Sequence, residues 1–210
     1  MCHLYGNLLN TYGDVGNIMA FEHELKKKNI DFERNIVSIG DEFHAEDYDF
    51  VFFGGGQDYE QNIVKKDLFN KKDQLVEYIE NDGLLLSVCG GYQLLGKYYY
   101  DADGQKLDGL GIFDHYTVNQ EDKNRFTGQI KVESKVFDEL CLGFENHGGK
   151  TYLGKDQDPF AYVLEGNGNN GEDKTEGFIY KNTIGTYLHG PILARNEQFC
   201  KKLVNIIIKE

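Results

Sequence analysis

Proline occurs only twice, at Pro159 and Pro191, and cysteine only four times. No proline-rich stretch marks a linker, so residues 1–210 are expected to form a single domain. The cysteines, Cys2, Cys89, Cys141 and Cys200, make no C-x-x-C pair and no metal-ligand spacing with the six histidines. Reduced thiols are therefore expected, and neither disulfides nor a zinc site. Long apolar runs are missing as well. None approaches the roughly eighteen residues needed to span a bilayer, and the first residues lack the charged-then-apolar layout of a signal peptide. A soluble, cytoplasmic protein is expected. No phosphate-binding G-x-x-x-x-G-K-[ST] loop is present, so no ATP site is expected on this chain. No internal repeat is visible. Basic charge is scarce: 22 lysines and arginines face 35 acidic residues, a formal net charge of −13. That balance argues against non-specific nucleic-acid binding and against anionic membrane surfaces.

The chain has 210 residues, of which 40% are hydrophobic and 13% aromatic, enough for a proper core. Its first half alternates short apolar runs with helical patterns. Residues 1–5 read as a short first strand and residues 32–38 as a second. The run YDFVFF, residues 48–53, reads as a third and runs into Gly54, Gly55 and Gly56, and residues 84–88 read as a fourth. Helical spacing covers residues 18–28, with lysines at the C-terminal end where the helix dipole favours them, and residues 71–81. Such alternation predicts an α/β fold with a mostly parallel central sheet flanked by helices. The second half is more strand-like and glycine-rich. The stretch EGNGNNGEDKTE, residues 165–176, reads as an exposed, mobile loop. The opening MCHLYGNLL leaves few residues for a first strand, which raises the expectation that the true start lies upstream.

Ligands of parallel sheets collect at the carboxyl ends of the strands, and two of those ends are unusual. One is the triple glycine after Phe53. The other is SVCGGYQLLG, where an apolar strand stops on Cys89, turns on Gly90 and Gly91, and resumes as a helix. This is the layout of a nucleophile elbow with cysteine in place of serine. The helix start aims free N–H groups at the sulfur, a setting that favours a thiolate. The N–H after the cysteine can also serve an oxyanion. A core cysteine followed by an ordinary Gly-Gly turn is the plainer explanation. Against it stands TYLHGP, in which His189 is set at a strand terminus before Gly190-Pro191. A histidine there can act as the base that a thiol nucleophile needs. Cys89 and His189 lie one hundred residues apart, so only the fold can join them.

These residues resemble the class I (triad) glutamine amidotransferases. Cys89, Gly91 and Gln93 match that family's C-x-G-x-Q elbow, FFGGGQD its oxyanion loop, and TYLHG its histidine. The likeness is stronger to the cobyric acid synthase-like branch. Within it, LLNTYGDVGN, GGGQDYEQ, CGGYQLLG, ENHGG and TYLHGP together resemble the glutaminase subunits of lipid II isoglutaminyl synthases, over nearly the whole chain. The resemblance implies a flavodoxin-like fold and hydrolysis of L-glutamine through a Cys89 thioester, with His189 moving the protons. It implies an oxyanion hole from the N–H of Gly90 and one from Gly55 or Gly56. It also implies substrate contacts from Gln93 and from Arg125 on the substrate carboxylate, with Asn146 and His147 lining the pocket, and no metal.

The ammonia then requires a partner. By resemblance this is a Mur ligase-like (MurT-like) synthetase subunit, binding ATP and Mg and forming a hetero-oligomer. It would amidate the D-glutamate of lipid II to D-isoglutamine in cell-wall synthesis. Two other readings stand beside this one: amidation of a cobyrinate-type acceptor, and a non-catalytic binding or regulatory subunit of the same fold. A cysteine peptidase is disfavoured by Gln93 and Arg125, which suit a small amino-acid substrate. One feature departs from the family. Many triad members place an acid two residues after the histidine, and here that position is Pro191. The alternatives are a Cys89–His189 dyad, an internal acid such as Asp108 or Asp114, or an acid donated by the partner, which would leave the free subunit weakly active.

Overall fold

The structure is a computed structural model that describes residues 1–101, 103–119 and 125–209. In chain order the first half runs β1 (Cys2–Leu4), α1 (Val15–Lys27), β2 (Asn35–Val37), β3 (Phe50–Phe53), α2 (Asp58–Asn70), α3 (Lys72–Glu80), β4 (Leu84–Val88) and α4 (Gly90–Leu95). The second half is β-rich. It runs β5 (Tyr98–Tyr100), β6 (Lys106–Asp108), β7 (His115–Asn119), β8 (Phe126–Ser134), β9 (Glu139–His147), β10 (Gly149–Leu153), β11 (Ala161–Glu165), β12 (Thr175–Glu176), β13 (Phe178–Tyr180) and β14 (Thr183–Thr186). Two helices close it, α5 (Ile192–Arg195) and α6 (Glu197–Ile208).

Strands β3 and β4 are apolar and buried at every position but one, Ser87 of β4, which is buried too. Strands covered on both faces read this way, and these two lie at the centre of a six-stranded sheet of order β13-β14-β4-β3-β1-β2. All its pairings are parallel except β13 with β14. Side-chain alternation splits the core between the two faces. Phe50, Phe52, Leu84 and Leu86 pack with Phe21 and Leu25 of α1 and Leu203 and Val204 of α6. Val51, Phe53 and Leu85 pack with Leu68 of α2, Leu75 and Ile79 of α3 and Leu94 of α4. The remaining strands form two four-stranded sheets, β10-β7-β5-β6 and β12-β11-β8-β9.

The predicted α/β architecture is therefore observed, with three adjustments. Helix α2 is absent from the sequence reading. Only Val64 and Leu68 carry its buried apolar stripe, while Ile63 and Phe69 face outward, so its periodicity is faint. The strand before His189 ends at Thr186, three residues early. His189 is instead fastened across to β9, where Phe144 N–H donates to its carbonyl at 2.9 Å and its own N–H donates to Phe144 at 2.8 Å. Third, residues 165–176 are not a wholly exposed loop: Asn169, Asn170 and Glu176 are fully buried. Side-chain amides replace the missing ladder. Asn169 donates through Nδ2 to Gly177 O at 3.0 Å and accepts from Gly177 N–H at 2.8 Å. The N–H groups of Asn167 and Gly168 both donate to the Glu145 carboxylate. A string of asparagines and glycines reads as mobile because this self-bonding cannot be seen in composition. No described helix is long and apolar enough to cross a membrane, and all four cysteines are free thiols.

Candidate active site

The parallel strands deliver their carboxyl ends to one edge of the central sheet, and the turn after β4 is the most strained of them. Cys89 has φ 51° and ψ −107°, a conformation costly for an L-residue and characteristic of a nucleophile displayed on a sharp turn. Its neighbours permit the turn. A Cβ on Gly91 would lie 2.4 Å from the carbonyl oxygen of Phe53, so only glycine lets α4 pack this closely on the end of β3. Cys89 N–H donates to Thr186 O at 2.9 Å, which moors the elbow to β14. Gly90 opens α4, so its N–H has no acceptor within the helix.

His189 reaches this turn from the far end of the chain, and so does an acid that the sequence does not announce. His189 Nδ1 lies 3.1 Å from Oδ1 of Asp14, and both side chains are sealed from solvent. The other Asp14 oxygen, Oδ2, accepts from Gly55 N–H at 3.0 Å. Cys89 belongs to the same cluster. A single point, where a Cβ on Gly55 would sit, lies 3.2 Å from Cys89 Cβ and 3.4 Å from both His189 Cε1 and Asp14 Oδ2. Burial alone would suppress the charge on His189, but the Nδ1 hydrogen bond to Asp14, helped by the nearby Cys89 sulfur and the Asp14 charge, outweighs it. The imidazole is lifted to about 10, so it favours the protonated form. Its Nε2 is buried and has no hydrogen-bond partner among the described residues.

The acid thus comes from residue 14 of this chain. Asp108 and Asp114 are elsewhere: Asp108 ends β6 and is exposed, and Asp114 is paired with Lys97 on the surface. A partner-donated carboxylate would have to displace Asp14 from Nδ1. Asp14 stands immediately before Val15 of α1, inside the LLNTYGDVGN stretch, whose likeness to the family gave it no role of its own.

The glycine loop is settled by its hydrogen bonds. Gly55 N–H is spent on Asp14, so it is not free for a ligand. Gly55 O is held by Thr11 N–H at 3.1 Å and by Thr11 Oγ1 at 2.9 Å. A trans peptide points its N–H opposite to its C=O, so Gly56 N–H faces away from Thr11. Its nitrogen lies 3.1 Å from the place a Gly90 Cβ would occupy. Gly56 N–H is therefore the loop donor that Asp14 and Thr11 leave unused, and it lies against Gly90 at the start of α4.

Gln93 is buried, and its amide is occupied: Nε2 donates to Tyr187 Oη at 3.1 Å, and Oε1 accepts from Gln61 Nε2 at 3.4 Å. These bonds tie it to α2 and to the segment before His189, and leave its second N–H unassigned. Arg125 is exposed and fixed by Asn146, with Nε donating to Oδ1 and Nη2 to the backbone oxygen, each at 3.0 Å. Asn146 thus aims Arg125. His147 feels the charge of both Arg125 and His189 and stacks on Tyr187 with ring centroids 3.7 Å apart. Burial is the main cause that holds it down to about 3, so it stays neutral. Its Nδ1 lies 2.8 Å from Gly149 O.

A strained cysteine, an acid-backed imidazole and a pair of free N–H groups are the parts of an acyl-transfer site. Residues 1–197 match the CobB/CobQ-like glutamine amidotransferase domain. This chain belongs to that family. Over all 210 residues it is 50% identical to the GatD subunit of lipid II isoglutaminyl synthase (glutamine-hydrolyzing) from Streptococcus pneumoniae, covering 80% of that protein. It is 46% identical over 204 residues to the corresponding Staphylococcus aureus subunit, covering 96% of this chain and 81% of that one. Among solved structures, PurLQS from Thermotoga maritima superposes with a TM-score of 0.66 at 15% identity, covering 99% of this chain and 96% of that one, a likeness of fold alone. The CobB/CobQ-like assignment agrees with the amidotransferase motifs read from the sequence.

Proposed function

We propose that the chain hydrolyses L-glutamine as the ammonia-supplying subunit of a two-chain amidotransferase, with Cys89 as nucleophile and His189 as its acid–base partner. The observation that carries this reading is the convergence of Cys89, His189 and Asp14 on one point beside Gly55. Cys89 attacks the side-chain amide carbon of glutamine. The oxyanion that forms is held by the N–H groups of Gly90 and Gly56, each such donor contributing about 2.7–4 kcal/mol to the transition state. Imidazolium at His189, kept charged and oriented by Asp14, protonates the departing ammonia. The neutral imidazole then takes a proton from water as it opens the thioester, releasing glutamate. Arg125, steadied by Asn146, pairs with the substrate carboxylate through a fork of donors suited to it.

The acceptor reading draws on the two relatives named as glutamine-hydrolysing subunits of lipid II isoglutaminyl synthase. The partner is then a Mur ligase-like synthetase that binds ATP and Mg and forms D-isoglutamine from the D-glutamate of lipid II. The reaction belongs in the cytoplasm, where ATP and reduced thiols are available. With Asp14 already on His189, the isolated chain is expected to turn over glutamine unaided. The experiment is glutamate and ammonia release from L-glutamine by the purified chain, with Cys89→Ala as control, alone and with a Mur ligase-like partner. Release that depends on Cys89 supports the reading. No release in either setting leaves a binding subunit in its place.

A further inference from the structure

Gln61 has no part in the chemistry described so far, yet it is only 2% exposed and sits against the oxyanion loop. Helix α2 carries it beneath residues 54–56. Its Nε2 donates to Gly56 O at 3.1 Å and to Gln93 Oε1 at 3.4 Å. A carboxamide nitrogen has two protons, and both are used here. The reversed amide would set its oxygen against two acceptor oxygens, so these neighbours fix its orientation. A Cβ on Gly90 would lie 2.6 Å from this nitrogen, which places the Gln61 amide directly against the first residue of α4.

Three consecutive glycines have almost no intrinsic conformational preference. Nothing in the backbone of residues 54–56 therefore holds Gly56 N–H in place. The clamps come from outside. Thr11 grips the peptide between residues 55 and 56 through its carbonyl. Gln61 grips the next one, between residues 56 and 57, through its carbonyl. Beyond Gln61 the chain of contacts continues through Gln93 to Tyr187, two residues before His189. Nucleophile helix, oxyanion loop and histidine segment are thus tied together by two buried carboxamides, Gln61 and Gln93.

We propose that Gln61 is a positioning residue that preorganises the oxyanion hole: it fixes Gly56 from its carbonyl side while Thr11 fixes the preceding peptide, which carries the Gly56 N–H, so that this N–H stays against Gly90 at the start of α4. The proposal rests on the glutaminase reading above. A donor aimed in advance stabilises charge that appears only in the transition state, so its loss lowers kcat and leaves substrate binding alone.

The test uses the whole chain with Gln61→Met, which keeps length and removes both hydrogen bonds, and Gln61→Glu, which keeps an acceptor and removes the donor. Four quantities are read: kcat, KM, the affinity for the aldehyde analogue of glutamine, and the rate of Cys89 alkylation by iodoacetamide. The aldehyde adds the Cys89 sulfur to its carbonyl carbon, and the carbonyl oxygen then occupies the oxyanion site. Iodoacetamide alkylates the same thiolate by displacing iodide and needs no oxyanion hole. In both variants kcat is expected to fall by about 10- to 100-fold with KM nearly unchanged. Aldehyde affinity is expected to fall by the same factor, and alkylation to stay within about two-fold of wild type. If alkylation falls in step with kcat, Gln61 merely supports the elbow and the proposal is overturned. Unchanged kcat and aldehyde affinity overturn it too. Should both variants fail to fold, Thr11→Val, which strips the hydroxyl clamp from the preceding peptide, carries the same signature at smaller amplitude. A wild-type chain without Cys89-dependent release overturns the glutaminase reading itself, and the proposal with it.

Discussion

Two turns meet at this site, and each carries a non-glycine residue in the left-handed region: Cys89 at φ 51° after β4, and Tyr12 at φ 56° before α1. The first is announced by its sequence, since an apolar strand that stops on a cysteine and two glycines, with a strand-end histidine elsewhere in the chain, has the layout of a nucleophile elbow. The second, NTYGD, reads as any polar surface turn, and Tyr12 is indeed half exposed. Yet this turn supplies Asp14 to His189, Thr11 to the glycine loop, and the Tyr12 ring, edge-on to His189 at 5.1 Å between centroids. The comparison teaches that a nucleophile is legible because its backbone is unusual. The groups that orient its partners are ordinary residues made special by position.

Mutation can test that contrast. The largest effect is expected at the legible turn: Cys89→Ala should reduce glutamate release to background, with no thioester trapped by hydroxylamine. At the other turn, Asp14→Asn should keep the hydrogen-bonding shape and lose the charge. A fall in kcat on the order of 10²-fold is expected. The same change should bring the His189 titration down from about 10 toward its ordinary range, because the Asp14 hydrogen bond is the largest cause raising it. Following the imidazole by NMR checks this, and an unmoved His189 would mean that Asp14 only shapes the loop.

Arg125→Ala tests the substrate-facing rim. A charge-assisted hydrogen-bonding fork lost there should raise KM by about 10- to 100-fold with a smaller change in kcat, and steady-state kinetics decides it. The smallest effect is structural. Glu176 is buried beneath the histidine segment, accepting from Tyr187 N–H at 2.6 Å and from Thr186 Oγ1. Burial pushes it up to about 8 from an ordinary 4.5. The folded state thus holds this proton more tightly than the unfolded chain does. That stabilisation is fully present below the ordinary value and is lost as pH rises through about 8. Glu176→Gln should flatten the decline of melting temperature between about pH 5 and about pH 9, and an unchanged slope would assign the decline to other groups.

Much of this molecule was written locally. Strands β3 and β4 were visible because burial on both faces demands an unbroken apolar run, and the elbow because only glycine allows α4 against Phe53 O. Helix α2 was not visible, since only Val64 and Leu68 make its buried apolar stripe, and with it went the buried Gln61. Residues 165–176 looked loose because asparagine side chains that replace backbone partners do not show in composition.

The sequence by itself determined the α/β alternation, the candidate elbow at Cys89 with its candidate histidine, and, through short motifs spread along the chain, the family, because each of these signals is local. The tertiary structure alone decided the rest. It chose Asp14 over Asp108 and Asp114, gave Gly55 N–H to that acid and left Gly56 N–H free, and turned Gln93 inward. Those outcomes are set by which loops the sheet brings side by side, and Asp14 and His189 stand 175 residues apart in the chain.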